Sequence, residues 1–318
     1  MGHGAGHFTA GECDRMTGHG AGTSFARKIF AAVILSFLMA GQTALAGIAL
    51  TQANGEALIL PAPAKRIITL APNLAELVFA AGAGERLIAV VEYSDFPPAV
   101  KQITKVGDAF RIDLERIINL KPDLVIAWTS GNPQTALQKL EQLGITVWQI
   151  EITRPNEIAA TVDAIALAAG TGAQGIPVAE ALRKQLSTLV QENSGKPPLD
   201  FFYQIAANPL YTVNGQHIIS RSMEICGARN IFAELPSLAP QVSQEAVILA
   251  NPQAMIAPEI VGDTPALAHW NDWPRLKAVQ TGALLYLPAD DISRAAPRLL
   301  DSIELACKLL DEVRKSGH

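Results

Sequence analysis

Two distant segments of this chain repeat one another, and the repeat restricts the fold more than any other feature. "LERIINLKPDLVIA" (Leu114 to Ala127) and "SQEAVILANPQAMIA" (Ser243 to Ala257) each run through an acid, an apolar helical turn, a Pro and an apolar strand in nearly the same order. The period is too long and the copies too few for a solenoid, so the repeat predicts two similar lobes. Within the first half, "RIITLAP", "LIAVVEYS" and "DLVIAW" read as short β-branched or apolar strands, with helical spacings between them in "NLAELVFAAG" and "LERIINL". "TALQKLEQLG" followed by "ITVWQI" repeats the order helix, Gly stop, strand. Strands alternating with helices predict an α/β fold with parallel sheets covered on both faces.

The pattern then changes. "NEIAATVDAIALAAG" predicts one helix and "PVAEALRKQLSTLVQEN" a second, with Pro177 in its first turn. "SGKPP" marks a boundary, after which strands return with "DFFYQIA". The predicted organisation is an N-terminal extension and signal segment at 1–46, an N-terminal lobe at 65–172, one bridging helix at 173–195 and a C-terminal lobe at 198–316.

A second echo pairs "NLAELVFAAGAGERLIAV" with "SRSMEICGARNIFA", each a helix that carries a Glu and runs into Gly. In the first copy Leu74, Leu77, Val78 and Ala81 form the buried stripe, which predicts that Glu76 faces outward. Asn73 and Glu76 also have the spacing of a capping box. Glu224 takes the matching place in the second copy, but Arg221 stands three residues earlier and cannot cap. Capping therefore does not account for both; a symmetric pair of contact points does, with solvated surface carboxylates as the plain alternative.

The first residues bear on destination. Arg27 and Lys28 precede "IFAAVILSFLMAG", and "ALAG" at 44–47 offers the small-x-small pattern of a cleavage site between Ala46 and Gly47. The apolar run is shorter than the ~20 residues that cross a bilayer. The expectation is export to the periplasm and release, with Met16 as an alternative start. His3, His7 and His19 fit no metal-ligand spacing. A chain of 318 residues with 49% hydrophobic and 17% charged residues is globular and long enough for two domains. A net charge of -5 with no long basic run gives a nucleic-acid partner no electrostatic support. Cys13 would leave with the signal segment; Cys226 and Cys307 would then form one disulfide or remain two buried thiols, and spacing does not decide between them.

Catalytic machinery is hard to find. There is no G-x-S-x-G, no G-x-x-x-x-G-K-[ST] and no H-E-x-x-H, and "AAGAGERL" follows a helix rather than a strand, so it lacks the helix N-terminus that holds a pyrophosphate. His217, His269 and His318 are too scattered for a metal cluster. The expectation is a non-enzyme without cofactor or metal. Loops after the strands instead carry groups suited to a cleft between lobes: Tyr93, Asp95 and Phe96; Asp108, Phe110 and Arg111; Trp128, Ser130 and Asn132; Tyr211; Asp290, Asp291 and Arg294.

The series "RIITLAPNLAELVFAAG", "YSDFPP", "DLERIINLKPDLVIAW", "SGN", "MEICGARNIF", "PQVS" and "SRAAPR", in that order over nearly the whole mature chain, resembles the periplasmic cobalamin-binding proteins of ABC importers. These belong to the helical-backbone class that also carries siderophores and haem. The resemblance implies a corrinoid ligand in the interlobe cleft, a monomer, and docking on an inner-membrane permease dimer through Glu76 and Glu224. It also implies that Cys226 pairs with Cys307, and that Tyr93, Tyr211, Asp290 and Arg294 contact the corrinoid, with Asn132 and Phe110 beside them. Trp residues of well-known cobalamin binders are replaced here by Ala109, Ala239 and Asp291, so stacking falls to Phe110, Tyr93 and Tyr211. The same fold carrying a ferric siderophore or haem is the first alternative, and Arg111 and Arg294 are the visible bases for an anionic cargo. A periplasmic enzyme on a related scaffold is the second. A continuous bridging helix predicts only a small closure on binding.

Overall fold

The computed structural model describes Met1 and residues 47–316; the expected signal segment and alternative start lie outside the described residues. The N-terminal lobe is a five-stranded, all-parallel sheet in the order β5 (Thr104–Lys105), β4 (Leu87–Val90), β3 (Ile67–Thr69), β6 (Leu124–Trp128), β7 (Val147–Ile150). Its strands are apolar on both faces for a simple reason. Alternate residues point opposite ways, so Ile67, Leu124 and Ile126 pack against α1 (Pro72–Ala80) and α4 (Asn156–Ala169) on one side. Ile68, Val125 and Val147 meet Ile117 of α2 (Leu114–Leu120) and Leu137 and Leu140 of α3 (Gln134–Gln142) on the other. Each of these fully buried aliphatic side chains contributes ~1.5–3 kcal/mol of transfer free energy. A hairpin of β1 (Ile48–Thr51) and β2 (Ala57–Leu60) precedes the lobe and is tied to β7 by Trp148 Nε1–H donating to Thr51 O at 2.9 Å.

The C-terminal lobe is a four-stranded parallel sheet, β11 (Ala228–Asn230), β8 (Leu199–Tyr203), β12 (Ala254–Glu259), β13 (Leu284–Pro288). The internal repeat is realised atom for atom at its turns. Asp113 accepts from Arg116 N–H to cap α2, and Ser243 accepts from Ala246 N–H to cap α7 (Gln244–Ala250). Both helices end on a left-handed residue, Lys121 at φ 46° and Asn251 at φ 48°, each followed by a Pro that prevents the helix from continuing and leads into β6 or β12.

The lobes are joined by α5 (Gly172–Asn193), which packs along α4. Its bounds lie close to the expected 173–195, but Pro177 lies inside the helix rather than in its first turn. Close packing sets that start: a Cβ on Gly175 would come within 2.5 Å of Ala166 Cβ and 2.9 Å of Ala81 O, so only Gly lets the first turn of α5 reach α4 and the end of α1. The C-terminal helix α10 (Arg298–Ser316) runs back to this bridge, where Gln185 donates to Asp301 at 2.9 Å. Cys307 on α10 is bonded to Cys226 at the end of α6 (Ile218–Ile225), with the Cα atoms 4.8 Å apart. No described helix is long and apolar enough to cross a membrane.

The start of α1 differs from expectation. Pro72 occupies its first turn and Ala71, extended, is the N-cap, so Asn73 lies within the helix and no capping box forms with Glu76. A Pro prefers that first position and pushes the residue before it out of helical conformation, which outweighs the capping tendency of Asn73.

Candidate ligand cleft

The loops at the carboxyl ends of both sheets face one another, as ligand-bearing loops do in open α/β folds. After β4, Tyr93 is 79% exposed and holds φ at +63°, a left-handed conformation that a bulky side chain rarely adopts. After β5, the turn closed by Gly107 and Ile112 presents Phe110, 76% exposed, at its tip. Asp108 fixes that tip by accepting from Phe110 N–H at 2.8 Å and Arg111 N–H at 2.7 Å, bonds that hold its carboxyl below the usual carboxylate range. On the other lobe, Tyr211 lies on β10 (Leu210–Tyr211), which pairs with β9 (Ala206–Ala207) and bridges to Gln241. Three aromatic side chains thus stand in loops or hairpins at strand ends, two of them with most of their surface free.

Behind these loops lies an interlobe cavity of about 280 Å³. Its N-terminal wall includes Asn73, Trp128 and Glu151; its C-terminal wall includes His217, Leu238 and Arg294. That volume is just under the ~300–1,000 Å³ that encloses a drug-sized ligand, and of the expected contact residues only Arg294 is in its lining, Tyr93, Phe110 and Tyr211 standing outside it. Gly131 keeps the Trp128 ring in place, since a Cβ there would meet Trp128 Cδ1 at 2.7 Å. Glu151 accepts from Ser130 N–H at 2.9 Å and Ser130 O–H at 3.0 Å. His217 caps α6, its Nδ1 accepting from Ile219 N–H at 3.2 Å, and burial pushes its pKa down to about 4. Nδ1 is therefore a lone pair and the ring proton sits on Nε2.

Beside the cavity an ion network joins the lobes. Glu76 on α1 accepts from Arg298 Nε at 3.0 Å and Nη2 at 2.7 Å, and from Arg294 Nη1 at 3.1 Å. Arg294 also donates to Asp95 at 2.7 Å and to the Tyr93 carbonyl at 3.3 Å, and pairs with Asp290 at 2.9 Å. Arg298 completes the set by pairing with Asp291 and lying 4.2 Å over the Phe96 ring. The hydrogen bonds and charge of Glu76, against some loss from burial, raise the Arg298 pKa. At Asp291 burial, with Glu76, Asp290 and Asp301 nearby, raises the carboxyl despite Arg298.

These positions amend the sequence reading. Glu76 does not face outward: it is 3% exposed, because the side of α1 turned away from its own sheet is covered by Arg294 and Arg298 of the opposite lobe. Glu224 is exposed, paired with Arg221 at 3.3 Å. Asn132 is not presented to a ligand; it is 5% exposed, donates to Leu70 O at 2.8 Å and Ala109 O at 3.0 Å, and accepts from Trp128 N–H at 2.7 Å. It positions the Phe110 loop instead. Arg294 and Asp290 stand at the cleft but are engaged with each other, and Arg294 with the opposite lobe. Asn73, Glu151 and His217 were not singled out as contacts, and no local pattern marks them, since only the approach of the two lobes brings them to one cavity. No group of three metal-ligating side chains occurs among the described residues.

Two parallel α/β lobes, one bridging helix and a cleft between facing loops define a two-lobed solute-binding protein. Residues 67–290 match the periplasmic binding protein family, and the chain belongs to it. It is 38% identical over 257 residues to a vitamin B12-binding protein of Vibrio cholerae serotype O1 (strain O395), covering 80% of this chain and 92% of that one. It is 36% identical over 249 residues to a vitamin B12-binding protein of Vibrio vulnificus (strain CMCP6), covering 78% and 90%. Among solved structures, the periplasmic vitamin B12 binding protein of Vibrio cholerae superposes with a TM-score of 0.75 at 37% identity, over 80% of this chain and 99% of that one. A periplasmic heme-binding protein in complex with two hemes shares the fold, with a TM-score of 0.70 at 22% identity over 78% of this chain and 99% of that one. These relatives are binding proteins.

Proposed function

We propose that this chain captures a corrinoid, cobalamin in particular, in the periplasm and presents it to an inner-membrane ABC importer without making or breaking a bond. The observation that carries the proposal is an interlobe cavity of about 280 Å³ between the facing strand-end loops, of which the N-terminal lobe's also hold two exposed aromatics, Tyr93 and Phe110, suited to the apolar faces of a corrin ring. The similarity to vitamin B12-binding proteins across most of the chain supports the same cargo. The ion network between the lobes and the continuous bridging helix favour a cleft whose opening changes little on binding.

Docking would fall unequally on the two carboxylates. Glu224 is exposed and held only by a surface pair with Arg221, so it can turn to a cationic permease surface, where rim charges set the salt dependence and orientation of a transient complex. Glu76 would have to leave Arg294 and Arg298 first. Uptake of radiolabelled cyanocobalamin, measured in cells lacking this chain and in cells given it back, tests the function. Restoration by the intact chain and its loss with Glu224→Ala are expected. Uptake that does not depend on the chain contradicts the proposal.

A further inference from the structure

Two polar groups in the interlobe cavity have no partner among the described residues, and they come from opposite lobes. Asn73 is 8% exposed, lines the cavity and makes no side-chain hydrogen bond. His217 spends Nδ1 on Ile219 N–H, which leaves Nε2–H without a protein acceptor at the cavity wall. Asn73 is nine-tenths buried and His217 partly buried, and with no protein partner at the cavity wall both are available to a ligand that displaces solvent there. The charged surroundings say which ligand group fits. Glu151 and Arg294 are the charged side chains of the lining, and Arg294 is already committed to Glu76, Asp95 and Asp290. Around it, two guanidinium groups, Arg294 and Arg298, serve four carboxylates, Glu76, Asp95, Asp290 and Asp291. An incoming carboxylate would find no free cation and would face Glu151.

We propose that Asn73 and His217 grip one peripheral carboxamide of the corrinoid, and that Glu151 rejects the corresponding carboxylate. This assignment rests on the corrinoid reading above and adds to it a basis for selectivity. The imidazole Nε2–H donates to the amide carbonyl, and the Asn73 Oδ1 accepts from the amide N–H, a donor that a carboxylate lacks. The neutral imidazole, its pKa low at about 4, cannot supply the positive charge that would offset a buried anion at neutral pH. Because its free nitrogen carries the proton, His217 also offers no lone pair to a metal centre while it caps α6. Tetrapyrroles that carry propionates in place of amides meet the same barrier.

The test is a calorimetric titration of residues 47–318 at pH 7.5 with cyanocobalamin and with its monocarboxylic acid derivatives, each having one peripheral amide hydrolysed. One derivative is expected to bind at least roughly tenfold more weakly than cyanocobalamin, while the others match it. Glu151→Gln should restore most of that loss. Asn73→Ala and His217→Ser, the latter keeping a good N-cap, should each weaken cyanocobalamin by roughly fivefold or more, while Glu151 continues to disfavour the same derivative. If the wild-type chain binds every derivative as well as cyanocobalamin, the assignment is overturned while the corrinoid reading stands. If it binds no corrinoid at all, both fall. The comparison among ligands on the wild-type chain needs no variant to fold.

Discussion

Replacing Glu76 with Gln removes one negative charge from between two guanidinium groups and leaves the side-chain shape unchanged. The carboxylate is 2% exposed and takes three charge-assisted hydrogen bonds from Arg294 and Arg298. With charge centres about 4 Å apart and an effective dielectric near 20, each pair attracts by about 4 kcal/mol. Desolvation offsets most of that, and removing one partner of a buried pair costs about 3–5 kcal/mol. Arg294 retains Asp95 and Asp290, and Arg298 retains Asp291, so the cost belongs at the low end, about 3 kcal/mol. At about 2–4 °C per kcal/mol, the melting temperature should fall by roughly 6 °C or more. The network crosses between the lobes, so a double-mutant cycle with Arg298→Met in urea unfolding should return a coupling of about 1.5 kcal/mol or more. A coupling below about 0.5 kcal/mol, with an unchanged melting temperature, would refute the claim that Glu76 ties the lobes together.

Cys226→Ala with Cys307→Ala opens a loop spanning 81 residues and should cost about 4 kcal/mol in urea unfolding, whereas an unchanged midpoint would show that the bond adds little. His217 has a folded pKa of about 4 against an ordinary 6.5, so the unfolded chain binds the extra proton between those values. Its contribution is complete above pH 6.5 and is lost as pH falls toward 4, in total about 3 kcal/mol; His217→Ser should flatten that part of the stability profile, and an unaltered profile would exclude it. Asn132→Ala strands Leu70 O, Ala109 O and Trp128 N–H, should cost about 2–3 kcal/mol, and should speed amide exchange at 107–112; protection equal to wild type there would show that the Phe110 loop stands without it.

The paired lobes were legible because a strand buried on both faces is an apolar run with little else to read, and because Gly and Pro punctuate it. The repeated units at Leu114 and Ser243 carry cap, left-handed stop and Pro in one order, so local chemistry and global fold agree. Helical periodicity correctly placed Leu74, Leu77 and Val78 against their own sheet, and it failed for Glu76 because it says nothing about a second lobe arriving on the other side. Asn132 looked like a ligand group for a related reason: a polar residue in a loop after a strand is equally suited to binding loop backbone, and only the folded positions of Leu70 and Ala109 decide. Pro177 suggested a helix start, but the Gly175 contact with Ala166 fixes the start a turn earlier. The disulfide was open on spacing and is formed here because α6 and α10 lie side by side.

The central claim is that this cleft holds a corrinoid. Titrating purified residues 47–318 with cyanocobalamin by calorimetry, with cobinamide, haemin and a ferric hydroxamate as competitors, tests it most directly. Saturable one-to-one binding of cyanocobalamin that haemin and the hydroxamate do not displace is the predicted result. Heat with haemin or the hydroxamate and none with either corrinoid would contradict it and assign the cleft to a different cargo.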